Sequence, residues 1–119
     1  MIRTELFSRR IAPRRGRVHD PDFLRFVGLF ACVVCARGLI ILRSEYSGDH
    51  QRSRTDAAHV GSHGLWQKSS DRETAPLCRF LHHQYGPESH HTLRWRFWSF
   101  HKLDKKFIVG ELNRLYELR

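Results

Sequence analysis

Asp56-Ala57-Ala58-His59-Val60, followed further on by Pro76-Leu77-Cys78-Arg79-Phe80-Leu81-His82-His83, are the stretches on which the fold turns. The first is a short strand that enters a glycine-rich loop, Gly61 to Gly64. In the second, Pro76-Leu77-Cys78 marks a turn, and a helix is predicted to begin near Arg79 and to break at Gly86-Pro87. Upstream lies Cys32-Val33-Val34-Cys35, then Gly38 and the strand-like Leu39-Ile40-Ile41-Leu42.

These pieces place four metal-ligand types in two pairs. Structural zinc is held tetrahedrally by cysteine and histidine, usually brought in as pairs. Cys32 and Cys35 form one pair across a two-residue spacer, which a tight turn can close on a single ion. Cys78 and His82 are four positions apart, so on a helix they share a face. The predicted structural zinc set is Cys32, Cys35, Cys78 and His82. A free CxxC beside a buried, lone Cys78 is the plain alternative. A redox CxxC is another, although no thioredoxin-like pattern surrounds it. His83 faces elsewhere if His82 faces zinc, and spacing leaves open that the two exchange roles.

Outward from this centre, Asp20-Pro21-Asp22 reads as a helix start, with Asp20 as N-cap and Pro21 at the first helical position. Phe23, Phe26, Val27 and Phe30 recur at helical spacing and predict an amphipathic helix over about 21–30 whose aromatic stripe is core. Residues 43–56 are polar and unpatterned and read as a variable loop or hairpin extension. Leu93, Phe97 and Phe100 suggest a helix from about Ser89. A last helix is expected from Asp104, as N-cap, to about Leu118, with Phe107, Ile108, Leu112, Leu115 and Tyr116 as its apolar face. No internal repeat or second domain is visible. Residues 1–19 carry six arginines and one glutamate, with Pro13 and Gly16, and read as a basic flexible arm ahead of a single domain at 20–119.

The totals agree with such a domain. At 119 residues a modest core can form, and a metal staple would help it. Lys and Arg number 21 against 12 Asp and Glu, a net charge of +9 that favours polyanionic partners, DNA or RNA. Three cysteines argue against a secreted disulfide framework. No secretory signal opens the chain. The longest apolar run, Phe26 to Ala36, is far short of the ~20 residues a membrane helix needs. A cytoplasmic protein is the expectation.

Ala57-Ala58-His59-Val60, Asp71-Arg72-Glu73-Thr74-Ala75-Pro76-Leu77-Cys78, and His82-His83 with Gly86-Pro87-Glu88-Ser89-His90-His91, taken with the upstream CxxC, resemble the HNH endonucleases. The likeness is to the short, zinc-containing, phage- and prophage-associated kind and covers roughly residues 20–103. It implies an α+β fold with a small ββα-metal core, a CxxC zinc staple and flanking helices. It also implies hydrolysis of DNA phosphodiester bonds, with His59 as general base. A catalytic divalent cation such as Mg2+, Mn2+ or Ni2+ would be held by His83 and His91, with His90 as the competing ligand. Such chemistry suits imidazole, which accepts protons and ligates metals near neutral pH.

The chain departs from the family pattern in three places. Ala58 stands where many members have His or Asp, the middle asparagine is missing with Asp71 or Glu73 near its place, and Leu81 is an extra residue before the histidines. A non-catalytic zinc module that binds DNA or RNA is the second expectation. Arg94, Arg96, Lys102, Lys105 and Lys106 form a basic C-terminal surface with Trp95 and Trp98 among them. That alternation suits phosphate contact by Arg94 and Arg96 and stacking on aromatic rings, while Phe97 and Trp98 read as core. His63 reads as solvent-facing, and His19, His50 and His101 carry no assignment. A homodimer would suit double-strand cutting.

Overall fold

A computed structural model of the chain describes residues 19–48, 55–61 and 70–119. The basic arm, apart from His19, therefore lies outside the described residues, as do His50, most of the glycine-rich loop and His63. Among the described residues no helix is long and apolar enough to cross a membrane.

The chain is a small α+β unit: a two-stranded antiparallel sheet packed against helices. Helix α1 spans Pro21–Val27 and starts as its sequence predicts, with the Asp20 carboxylate accepting the Phe23 N–H and Pro21 in the first turn. It ends three residues earlier than the apolar spacing suggests, at Gly28. Phe30 is needed elsewhere: it bridges Leu42, with the Ala31 N–H donating to Ile41 and the Arg43 N–H to Leu29, both at 2.8 Å.

That single bridge is all that forms of the strand expected over Leu39–Leu42. Gly38 sits at φ 89° and Arg37 at 56°, so the chain re-emerges at an angle and leaves Leu39 exposed. Residues Arg43–Glu45 make one 3-10 turn.

Strand β1 (Thr55–His59) pairs with β2 (Thr74–Cys78), with Thr55 opposite Cys78, Ala57 opposite Pro76 and His59 opposite Thr74. The Pro76-Leu77-Cys78 segment is thus a strand and not the expected turn. A two-stranded sheet has only edges, and an edge tolerates proline where its missing N–H faces away from the ladder. Pro76 turns that side to the CxxC segment, where its carbonyl accepts the Val33 N–H at 3.0 Å. Every residue of β2 is buried.

The helix expected after Cys78 is a π-helical segment, Arg79–Gln84. The helix expected from Ser89 is likewise broken. Helix α2 (His90–Leu93), capped by the Ser89 hydroxyl, gives way to a 3-10 turn at Arg94–Arg96 and then to α3 (Phe97–Phe100). Arg94 adopts φ 55°, which reverses the chain and turns Phe97 and Trp98 together into the core while Phe100 stays exposed.

Helix α4 runs over Lys105–Leu118 from its Asp104 cap, as expected. Ile108 and Leu112 are buried and Leu115 and Tyr116 half-buried, but Phe107 is exposed. Phe107 belongs to the row shared by Glu111 and Arg114, one step around from the apolar face.

The core is one cluster that includes Phe23, Val27, Phe30, Val33, Leu77, Phe97, Ile108 and Leu112. Arg72, just before β2, ties its parts together. Its guanidinium donates to Asp20, Asn113 and Glu117 and lies 5.0 and 4.9 Å from the ring centroids of Phe23 and Tyr116. The N-terminus of α1, the start of β2 and the C-terminal half of α4 are held in register by this one side chain.

Candidate functional site

Two centres flank β2 and the π-helical segment. The first is the sulfur cluster. The Cys32–Gly38 turn is closed by the Ala36 N–H donating to Cys32 at 2.9 Å and the Gly38 N–H to Val33 at 2.7 Å. The left-handed Gly38 makes the second bond possible, since an L side chain there is strained. Cys32 and Cys35 therefore project from one tight turn. Cys78 ends β2, and His82 follows in the π-helical segment.

His82 Nδ1 lies 3.0 Å from Cys78 Sγ, 3.3 Å from Cys32 Sγ and 3.6 Å from Cys35 Sγ, while Cys35 and Cys78 sulfurs are 4.0 Å apart. All four ligand atoms fall within 4.8 Å of one another. Ligands of tetrahedral zinc at ~2.1–2.3 Å from the ion stand about 3.5–3.8 Å apart. The set Cys32, Cys35, Cys78 and His82, expected from spacing, can hold a metal such as zinc.

The electrostatics agree with that use. Hydrogen bonds from Cys35 and Cys78 hold Cys32 well below the usual thiol range, and the bonds Cys35 makes with Cys32 and Cys78, with burial, push Cys35 above it. Burial disfavours charge on His82, but hydrogen bonds to Cys32 and Cys78 outweigh it and push His82 up to about 10. Three thiols and an imidazole share protons at close range here, and a divalent cation can replace those protons.

The second centre is built from histidine–carboxylate pairs. His59 closes β1, and its Nε2–H donates to Asp71 Oδ1 at 2.8 Å. Asp71 is buried and held from two further sides: its Oδ2 accepts the Asp20 N–H at 2.7 Å, and its carbonyl accepts the Thr74 hydroxyl at 3.0 Å. Burial works against the Asp71 carboxylate, but the bonds from His59 and the Asp20 amide win and lower its pKa. With Nε2 engaged, Nδ1 is the nitrogen left to accept a proton.

His83 Nδ1–H donates to Asp56 Oδ2 at 2.7 Å, and Asp56 also takes three charge-assisted bonds from Arg79. These donors lower the Asp56 pKa against the opposing effect of burial. Metal-ligating histidines are held in this way, with the other ring nitrogen bonded to a carboxylate. The His83 ring stands 5.1 Å from that of His91, at 78°. Burial, with help from His83 and Arg94, lowers the His91 pKa and keeps the imidazole neutral. The His90 ring packs against Phe97 and Trp98, 5.2 and 6.3 Å between centroids.

His59 and His91 open onto a cleft of 610 Å³ that is also lined by His90, Arg94, Trp95 and Lys105. Lys105 reaches across it to donate to the Val60 carbonyl at 3.1 Å. Trp98 contributes to the cleft from a largely buried position, while Trp95 is 84% exposed. Of the residues expected to contact phosphate, Arg94 lines the cleft; Arg96 is exposed but outside its lining. His83 sits behind His91 and does not line it. His101 is spent on a structural bond to the Glu88 carbonyl at 2.8 Å.

The sequence reading missed two features. One is Asp56 as the partner of His83 and Arg79, although an acid inside a short, otherwise apolar strand is a signal that it is paired. The other is the clamp at Arg72, whose partners are too distant in sequence to be marked locally.

Comparison of the chain with protein-family models, curated proteins and solved structures returned no match.

Proposed function

We propose that this chain is a metal-dependent nuclease of the HNH, or ββα-metal, kind, hydrolysing phosphodiester bonds in DNA. One observation carries the reading. His59, oriented by the buried Asp71, faces a cation-lined cleft beside His91 on a hairpin that runs straight into a helical segment. In this reading β1, β2 and Arg79–Gln84 are the ββα unit, and Cys32, Cys35, Cys78 and His82 are its zinc staple.

His59 Nδ1 takes the proton of the attacking water as its oxygen bonds to phosphorus, and the sugar oxygen leaves. Asp71 steadies the imidazolium through Nε2–H, as the carboxylate of a catalytic triad does. His83 and His91 form an open two-histidine seat for a divalent cation such as Mg2+, Mn2+ or Ni2+. When bound there, the cation supplies charge stabilisation for the phosphate and leaving oxygens. Arg94 at the cleft and Arg96 beside it hold flanking phosphates.

Asp71 takes over the structural work that the absent asparagine leaves undone, by fixing the end of the hairpin. Ala58, just before His59, packs in the core and offers no ligand. That favours, as the second reading, a nucleic-acid-binding module that no longer cuts.

Plasmid cleavage by the zinc-loaded protein, with added Mg2+, Mn2+ or Ni2+ and with EDTA, separates the two. General-base catalysis is worth ~10²–10⁴-fold. His59→Ala is expected to lose that much nicking while keeping its zinc. Binding of plasmid with no cleavage under any metal would overturn the nuclease reading in favour of the second.

A further inference from the structure

Trp95 is the most exposed large apolar side chain among the described residues, at 84%, yet it lines the same cleft as His59 and His91. A tryptophan left in water beside a reactive centre has no folding role to explain it. It sits on the one-turn segment Arg94–Arg96, between two arginines, and the backbone of Arg94 is held at φ 55°. Positive φ at a non-glycine residue is strain of the sort that collects at ligand clamps. Here it turns the indole away from the core, into which the next aromatic residues, Phe97 and Trp98, are directed.

The rest of the cleft defines what the indole meets. Its lining holds three histidines, Arg94 and Lys105, and no carboxylate among the described residues. The whole chain carries +9. An occupant must bring negative charge together with a flat apolar face, within a volume suited to a nucleotide-sized group. A nucleotide has both. In a duplex, however, each base has its faces covered by its neighbours. An indole in the cleft can stack only on a base that is unpaired or swung out.

We infer that Trp95 is a stacking platform for an unpaired nucleobase, so that the cleft takes single-stranded or locally opened nucleic acid. Arg94 and Lys105 hold the backbone on either side of that base. This rests on the nuclease reading for its polyanionic substrate, but the platform itself makes a claim about binding alone.

The test uses the full-length, zinc-loaded protein without free divalent cations. A labelled single strand, its blunt duplex, and an abasic strand of the same length and charge are titrated against the wild type, Trp95→Phe and Trp95→Leu. The abasic strand keeps the phosphates and removes the faces. The wild type and Trp95→Phe are expected to bind the single strand about tenfold to a hundredfold tighter than the abasic strand. Trp95→Leu is expected to lose that preference with no change in melting temperature.

Equal binding of the strand with and without bases, preference for the duplex, or a base preference that survives in Trp95→Leu would each overturn the platform. So would a Trp95-dependent interaction with protein in a chain that ignores nucleic acid. The two proposals fail separately. Base-dependent binding by a protein that never cleaves keeps the platform and ends the nuclease reading. Duplex cleavage equal in the wild type and Trp95→Leu, with no base preference, does the reverse.

Discussion

The sulfur cluster and the histidine cleft draw on the same few residues of chain, and they are opposite in design. His82 and His83 are neighbours, yet His82 turns into three sulfurs and His83 into a carboxylate. In the cluster every ligand atom faces the others and Cys32 and Cys78 are buried. At the second centre His59 and His83 each spend one nitrogen on an acid, and the His91 ring packs against that of His83. Closed sets of four are how proteins hold structural zinc, and open sets are how they keep a position for chemistry. His82 and His83 are adjacent on the π-helical segment and point at two separate centres.

The comparison breaks first at Cys78. Loss of one sulfur from the cluster should remove the ion, and structural zinc binding is worth ~10–16 kcal/mol. That exceeds or matches the whole stability of a domain this size, about 5–15 kcal/mol. Cys78→Ser is therefore expected to be unfolded by circular dichroism and free of zinc by metal analysis. A folded, metal-free variant would end the staple.

Gly86 sharpens the same comparison more gently. A Cβ there would stand 2.6 Å from the Leu81 carbonyl oxygen, which is backbone and cannot move aside. Gly86→Ala should strain the π-helical segment and cost about 1–3 kcal/mol in denaturant unfolding. It should weaken zinc retention and cleavage together, because that segment serves both centres. A loss confined to one would mean that His82 and His83 are positioned independently.

The smallest effect is expected at Asp71. Asp71→Asn keeps the shape but weakens the hold on His59, and should slow cleavage about tenfold with zinc untouched. It also changes the acid limb of stability. The Asp71 pKa lies below the ordinary 3.8, so its contribution is complete above that value and lost as pH falls through the lower folded value. The variant should flatten acid unfolding in that window, and an unchanged acid limb would show that Asp71 is not held as described.

What was legible in the sequence was local chemistry. Asp20-Pro21 and Asp104 announced their helices because an N-cap acts within three residues of itself. The spacing of Cys32, Cys35, Cys78 and His82 was legible because ligand pairs are short-range even when the pairs are far apart. The strand at Pro76 was not, since whether proline breaks a strand depends on which way its nitrogen faces, and Val33 settles that from more than forty residues away. Leu39–Leu42 looked like a strand for its apolar run, but a strand needs a partner in register, and a single bridge forms. Neither the π-helical turn nor the Asp56–His83 pair leaves a period to read. In the cleft, the histidine types were visible; their assignment to partners was not.

The most direct measurement follows metal content and cleavage in one preparation. Zinc-loaded protein is passed over a chelating resin, its retained zinc is counted, and plasmid nicking is recorded before and after Mg2+, Mn2+ or Ni2+ is returned. The expected result is about one zinc per chain that resists the resin, no nicking with zinc alone, and nicking restored by the added cation and dependent on His59. Nicking that needs no added cation and survives His59→Ala, or no nicking with any metal, would contradict the division of labour between the two centres.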